Sequence, residues 1–183
     1  MNQFTEIEHK YIVPSNFDWS VLIEAARKIG PEREFSVVVI DHYYRVKSAP
    51  DYVYRHRKDK LIEELTIKSL SQVDSRDRFE VNLPVDCGDE GIIRAFLSPL
   101  ELFWDGRVKK DVLVFEYKES EIVFYEASSD SKTLRCLEIE AKNFEKKSEA
   151  FDRINQIESI LGVTNWSREK KSLLQLLFPD VEV

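Results

Sequence analysis

The feature that most constrains this chain is the way charge alternates along its extended segments. A strand places every second side chain on one face. In the first such segment, near residues 4 to 13, Glu6, Glu8 and Lys10 share one face, while Thr5, Ile7, His9 and Tyr11 share the other. The scheme repeats. Arg55 and Arg57 share a face. Glu64, Thr66 and Lys68 stand opposite Leu65 and Ile67, and Arg76, Arg78 and Glu80 stand opposite Phe79, Val81 and Leu83. Arg107 and Lys109 share a face. Glu138, Glu140 and Lys142 stand opposite Leu137, Ile139 and Ala141. A half-exposed sheet alternates in the same way, but its solvent face mixes in Ser, Thr, Asn and Gln. Here the polar faces are mainly Glu, Arg and Lys, and cationic strands stand apart from acidic ones. The pattern predicts an antiparallel sheet closed into a barrel, with charged faces inward and apolar faces under helices. Unpaired charges inside would be costly. Such an interior therefore calls for a highly charged ligand and metal ions to complete it.

The remaining elements fit an α+β fold in a single domain, 1–183. A helix is predicted over Asp18–Ile29, capped by Asp18 and stopped by Gly30-Pro31. Strands are predicted at Ser36–Val46, Tyr52–Arg57, Glu63–Leu70, Arg76–Leu83, Arg107–Tyr117, Glu121–Ala127 and Leu134–Lys142. Turns are expected at residues 48–51, at Asp105-Gly106 and at residues 128–131. A helix at Asp89–Leu97 interrupts the series. An amphipathic helix spans Ser148–Leu161 with Gly162 as its stop, and a last helix covers Ser167–Leu177 ahead of Pro179. Trp19, Trp104 and Trp166 are expected to pack helices on the barrel. His9 should pack, His56 should point away from its flanking arginines, and Tyr43 and Tyr44 should be core aromatics. Glu116 and Glu121 read as solvated strand ends.

The formal net charge of −7 argues against a broad duplex nucleic-acid surface, although it leaves room for a local basic pocket. Cys87 and Cys136 form no C-x-x-C pair and lack zinc spacing around His9, His42 and His56, so two reduced thiols are expected. The first ten residues carry no signal-peptide pattern. No apolar run approaches the ~20 residues of a membrane span. The expectation is a soluble cytoplasmic protein.

Arg forks and Lys ammonium groups match phosphate oxygens, and Glu clusters match Mg²⁺ or Mn²⁺. Together they suit phosphoryl transfer. No glycine-rich phosphate loop is present.

Glu6-Ile7-Glu8-His9-Lys10 matches E-x-E-x-K, and the sequence here resembles the CYTH family, the triphosphate tunnel metalloenzymes. Further matching pieces follow in order: Tyr-Arg-His-Arg at 54–57, Leu-Thr-Ile-Lys at 65–68, Arg-Phe-Glu at 78–80, a basic strand at 107–110, and Glu-Ile-Glu at 138–140. The resemblance implies an eight-stranded antiparallel barrel that binds a triphosphate with a divalent metal. It implies Glu6, Glu8, Glu138 and Glu140 as metal-side carboxylates. Lys10, Arg55, Arg57, Lys68, Arg78, Arg107 and Lys109 are implied as phosphate ligands, with Lys10 and Glu80 catalytic. The chain departs from the family pattern in four places, one of them the missing Leu-Gly before the final Glu-x-Glu. Tyr125 stands where an Asp is common, Arg107-Val108-Lys109 replaces Lys-x-Arg, and Asp41-His42-Tyr43-Tyr44-Arg45 ends in a cation. The expected activity is metal-dependent hydrolysis of inorganic tripolyphosphate or a small organic triphosphate. The alternatives are a class IV adenylyl cyclase and a triphosphate-binding module with weak turnover. The expected partner is a small triphosphate, with neither duplex nucleic acid nor membrane, and the protein is expected to be a monomer or homodimer.

Overall fold

The computed structural model describes residues 7–60, 62–70 and 80–181. Eight antiparallel strands form one sheet: β1 (Ile7–Val13), β2 (Arg33–Val46), β3 (Tyr52–Lys58), β4 (Glu63–Ser69), β5 (Glu80–Pro84), β6 (Leu102–Tyr117), β7 (Ser120–Ser128) and β8 (Thr133–Ala141). Their order is β1-β8-β7-β6-β2-β3-β4-β5. The strand count and antiparallel pairing agree with the sequence. Among the described residues β1 and β5 are the two ends of the sheet, and no pairing joins them into a closed ring.

Four helices accompany the sheet: α1 (Ser20–Ile29), α2 (Glu90–Leu97), α3 (Lys147–Leu161) and α4 (Leu173–Leu177). Gly30 and Gly162 end α1 and α3 with φ of 82° and 72°, a left-handed conformation that costs glycine little. Asp18 lies two residues before the start of α1, whose N-cap is Trp19, and its carboxylate accepts from Ser20 N–H at 3.1 Å. Asp89 caps α2 by accepting from Gly91 N–H. Among the described residues no helix is long and apolar enough to cross a membrane.

Both faces of the sheet are covered over much of its area. One face of β1, β8, β7 and β6 presents Ile7, Tyr11, Leu137, Ile139, Ile122, Phe124 and Phe115 to α1 and α3. Trp19 meets Phe124 edge-on there, and Trp166 meets Tyr11 and Phe17. Farther along the sheet, α2 covers Tyr44, Val46 and Leu65 with Ile93 and Leu97. The opposite face carries the charged side chains. Its apolar portion, made of Tyr43, Val53, Val108, Tyr125, Ala127 and Cys136, is covered by Leu173, Leu174 and Leu177 of α4.

Two sequence expectations fail, each for a packing reason. Asp105-Gly106 is not a turn. Strand β6 begins at Leu102 and carries Gly106 opposite Tyr43 in the β2 register. A Cβ at Gly106 would stand 2.6 Å from the Trp104 ring and 3.0 Å from Phe178, so glycine lets these two aromatics fold over the strand. The last helix is also shorter than the predicted Ser167–Leu177. Ser172 caps α4 through a capping box with Gln175. Within residues 167–171 the chain instead bridges to β1, where the Glu169 N–H donates to the Lys10 carbonyl at 2.7 Å.

Replacing Gly106 by valine should overpack the Trp104–Phe178 contact and destabilise the fold by about 1–3 kcal/mol. A urea melt reads this directly, and an unchanged midpoint would show that the aromatic pair does not constrain position 106.

Candidate functional site

The charged face is built by strand parity. Cross-strand register sets Glu8 opposite Glu140 and Lys10 opposite Glu138. It sets Asp41 opposite Arg57, Tyr43 opposite Arg55, and Lys68 opposite Glu80. These residues form an almost continuous path of contacts. Lys10 Nζ lies 3.0 Å from Glu138 and donates to Glu8 at 3.2 Å. Tyr125 Oη donates to Glu138 at 2.7 Å, and Lys110 Nζ lies 5.7 Å from the centre of the Tyr125 ring. Lys110 Nζ then reaches Asp41 at 2.7 Å, and Arg57 grips the same carboxylate with two donors at 2.8 and 3.1 Å. Arg55 donates to Thr66 at 2.9 Å and lies 3.4 Å from Glu64 and 3.8 Å from Glu80. Glu80 closes the path on Lys68 at 2.6 Å.

The protonation states follow from burial and pairing. Burial would lower the Lys10 pKa, but Glu138 and Glu8 raise it above its ordinary value. Lys10 is therefore an ammonium at neutral pH and acts as a donor. Burial would raise Asp41, yet Lys110 and Arg57 hold it far below the usual carboxylate range. Glu138 and Glu80 are likewise lowered against the pull of burial, by Lys10 and Tyr125 in one case and chiefly by Lys68 in the other. Burial pushes the Tyr125 phenol well up, so it stays protonated and donates. Lys110 is lowered by burial, with Asp41 opposing the shift.

The structure brings Glu8, Lys10, Arg55, Arg57, Lys68, Glu80, Glu138 and Glu140 onto one face. Glu6 and Arg78 lie outside the described residues. The basic strand is a correction. Arg107 and Lys109 lie on exposed positions of the other face of β6, and Lys109 pairs with exposed Asp111 at 2.8 Å. Lys110 takes the inward position, and its side chain is only 12% exposed. Residues 107–110 offer cations at both parities, so spacing within the strand could not choose between them. The sequence reading also missed Asp41 as a site residue. Its signal was available, since Asp41 shares parity with Tyr43 and lies two residues from it. Glu121, read as solvated, has a side chain only 16% exposed and pairs with Lys142 at 2.6 Å.

The histidines stay off this face. His9 Nδ1 donates to buried Glu158 of α3 at 2.6 Å; Tyr11 Oη also donates to that carboxylate, and Arg168 does so at 3.1 Å. His56 Nε2 donates to Glu63 at 2.9 Å, away from the arginines.

A metal ion sets a stricter test than phosphate. Among the described residues no three Asp, Glu, His or Cys side chains gather closely enough to hold one. Glu138 is already engaged by Lys10 and Tyr125. Glu8 and Glu140, facing each other across β1 and β8, supply a pair of carboxylates. That donor set fits Mg²⁺ or Mn²⁺ shared with a bound phosphate better than a metal caged by protein alone.

Solved structures with this architecture cover nearly the whole chain. PH1012 from Pyrococcus horikoshii OT3 is similar at a TM-score of 0.72 and 21% identity, over 94% of this chain and 99% of that one. HpAC1 from Hippeastrum, studied as an adenylyl cyclase and described as having a dominant triphosphatase activity, is similar at 0.61 and 13%, over 96% of each chain. The chain shares the fold of these solved structures. A chain of the Schizosaccharomyces pombe Mediator head module shares this fold at 0.62 and 10%, over 90% of this chain and 98% of that one. No family model and no curated protein matches the sequence.

Asp41, Glu80, Glu138 and Glu158 are all held below their ordinary range, so each binds a proton less readily folded than unfolded. Their stabilising contribution is present above about pH 4 and is lost as pH falls through the depressed folded values. Unfolding free energy should fall steeply below about pH 4. Urea melts across pH 3–7 test this, and a protein that gains stability on acidification would contradict it.

Proposed function

We propose that this protein hydrolyses a short triphosphate, either inorganic tripolyphosphate or a small organic triphosphate, held across the charged face with Mg²⁺ or Mn²⁺. The observation that carries the reading is Arg55. The residue is only 7% exposed, yet its Nε has no hydrogen-bond partner among the described residues. A buried guanidinium N–H without an acceptor is costly, and an anion on this face would relieve it. Arg57, Lys68 and Lys110 lie on the same face, on β3, β4 and β6. The dominant triphosphatase activity described for HpAC1, on the same fold, supports the assignment.

In this reading the two halves of the face divide the work. Arg55, Arg57, Lys68 and Lys110 hold phosphate oxygens, and Thr66 and Glu64 fix the Arg55 fork. Arg78, outside the described residues, joins them on the strength of the sequence resemblance alone. Lys10, kept as an ammonium by Glu138 and Glu8, donates to a phosphoryl oxygen as negative charge develops there; it is not a proton acceptor. Glu80 orients Lys68. When bound, the metal supplies charge neutralisation and a polarised oxygen environment, with Glu8, Glu140 and Glu6 as its protein oxygens.

A second reading rests on Tyr125. With Glu138 held by both Lys10 and a neutral phenol, the carboxylate is less available for turnover, which favours a module that binds triphosphate and releases it intact. Phosphate release from tripolyphosphate, ATP and thiamine triphosphate with Mg²⁺ or Mn²⁺, alongside a cyclic AMP measurement, separates hydrolase, cyclase and binder. Tight binding without product would select the second reading.

Arg55→Ala and Lys110→Ala should each raise KM about 10- to 100-fold, from loss of a charge-assisted contact. Arg107→Ala and Lys109→Ala should leave it within about twofold, since both face solvent. The reverse order would place the phosphate site on the other face of β6.

A further inference from the structure

Asp41 has no exposed surface, and four donors surround it. Two are the Arg57 nitrogens at 2.8 and 3.1 Å, one is Lys110 Nζ at 2.7 Å, and the fourth is Tyr43 Oη at 3.3 Å. Arg55 adds a longer-range attraction. The carboxylate thus sits among the cations that the proposed function assigns to phosphate, and it already satisfies two of them. A carboxylate there has two opposing effects. It makes a cluster of buried cations tolerable in the empty protein. It also repels a polyanion and competes with it for Arg57 and Lys110.

We propose that Asp41 is a built-in counter-anion, which keeps the cation cluster stable when the site is empty and weakens triphosphate binding so that the ligand can leave. This rests on the charged face being the triphosphate site, and it adds a residue that sets affinity without belonging to the reacting groups. The structure separates this role from simple positioning. Asn in place of Asp41 keeps an oxygen for one Arg57 donor, so the guanidinium retains its direction while the negative charge is gone.

The test is direct binding of inorganic tripolyphosphate, measured by calorimetry with EDTA present so that neither metal nor turnover enters. D41N should bind about tenfold more tightly than wild type, the scale expected when one charge is removed beside the site. It should also melt about 5–15 °C lower when empty, with most of that gap closing at saturating tripolyphosphate. Asp41→Glu, which keeps the charge, should not tighten binding. Lys110→Gln, which leaves Asp41 less neutralised, should weaken binding about tenfold. D41N that folds only with tripolyphosphate present would support the proposal. If D41N does not fold under either condition, Lys110→Gln decides, and unchanged affinity there overturns the idea. Weaker or equal binding by folded D41N overturns it as well and makes Asp41 a positioning residue only. Absence of tripolyphosphate binding by the wild-type protein both with EDTA and with Mg²⁺ present would instead remove the proposed function itself.

Discussion

A buried charge has to be answered by another charge or by a ligand, and the charged face is organised around that requirement. Lys10 is answered by Glu138, Lys110 and Arg57 by Asp41, Lys68 by Glu80, and Arg55 in part by Glu64 and Glu80. All of these pairs except Arg55–Glu80, which spans β4, join neighbouring strands, so the polar contacts also fix register. A slip of one residue would turn every one of these side chains to the helix-covered face, where no partner waits. The apolar portion of the same face has a different answer in the leucines of α4. The charged face thus combines a hydrophobic cover with charges that are already largely matched, and the buried Arg55 Nε has no partner among the described residues.

Anchoring from behind matters as much as pairing in front. Glu8 and Lys10 alternate along β1 with His9 and Tyr11, which both donate to Glu158 of α3. Arg168 closes that group from the segment after α3. The strand that carries Glu8 and Lys10 is therefore held through its opposite side chains, and its main chain is held through Glu169. A rigid stave with its reactive groups on one side and a buried polar anchor on the other is how a sheet positions chemistry without relying on loops.

Much of this was legible in the sequence, and the reasons for success and failure are physical. Parity alone placed Glu8 and Lys10 on one face of β1, Arg55 and Arg57 on one face of β3, and Glu138 and Glu140 on one face of β8, because their neighbours on the opposite parity are apolar or packed. It failed on β6. There Arg107, Lys109 and Lys110 put charge at both parities, and only the pairing of β6 with β2 tells which side Lys110 takes. Asp105-Gly106 looked like a turn because a turn and a close aromatic contact ask for the same residue. The predicted final helix ran too far because residues 167–171 bond to β1, a partner more than 150 positions away in the chain. The fold itself does not decide the chemistry, since a Mediator chain and a triphosphatase both share it. What speaks for triphosphate here is the set of side chains, above all the buried Arg55 Nε, which has no partner among the described residues.

The crossing of β1 by Glu169 has a consequence for biogenesis. An uncovered strand edge with free N–H and C=O groups is a template for pairing with another chain. In this protein part of that edge is occupied by residues made after the whole sheet, and the same segment delivers the leucines that cover the apolar part of the charged face. Until residues 167–178 leave the ribosome, the nascent sheet exposes both an open edge and a greasy interior. Its dependence on chaperones should therefore be concentrated in the interval before residues 167–178 are made.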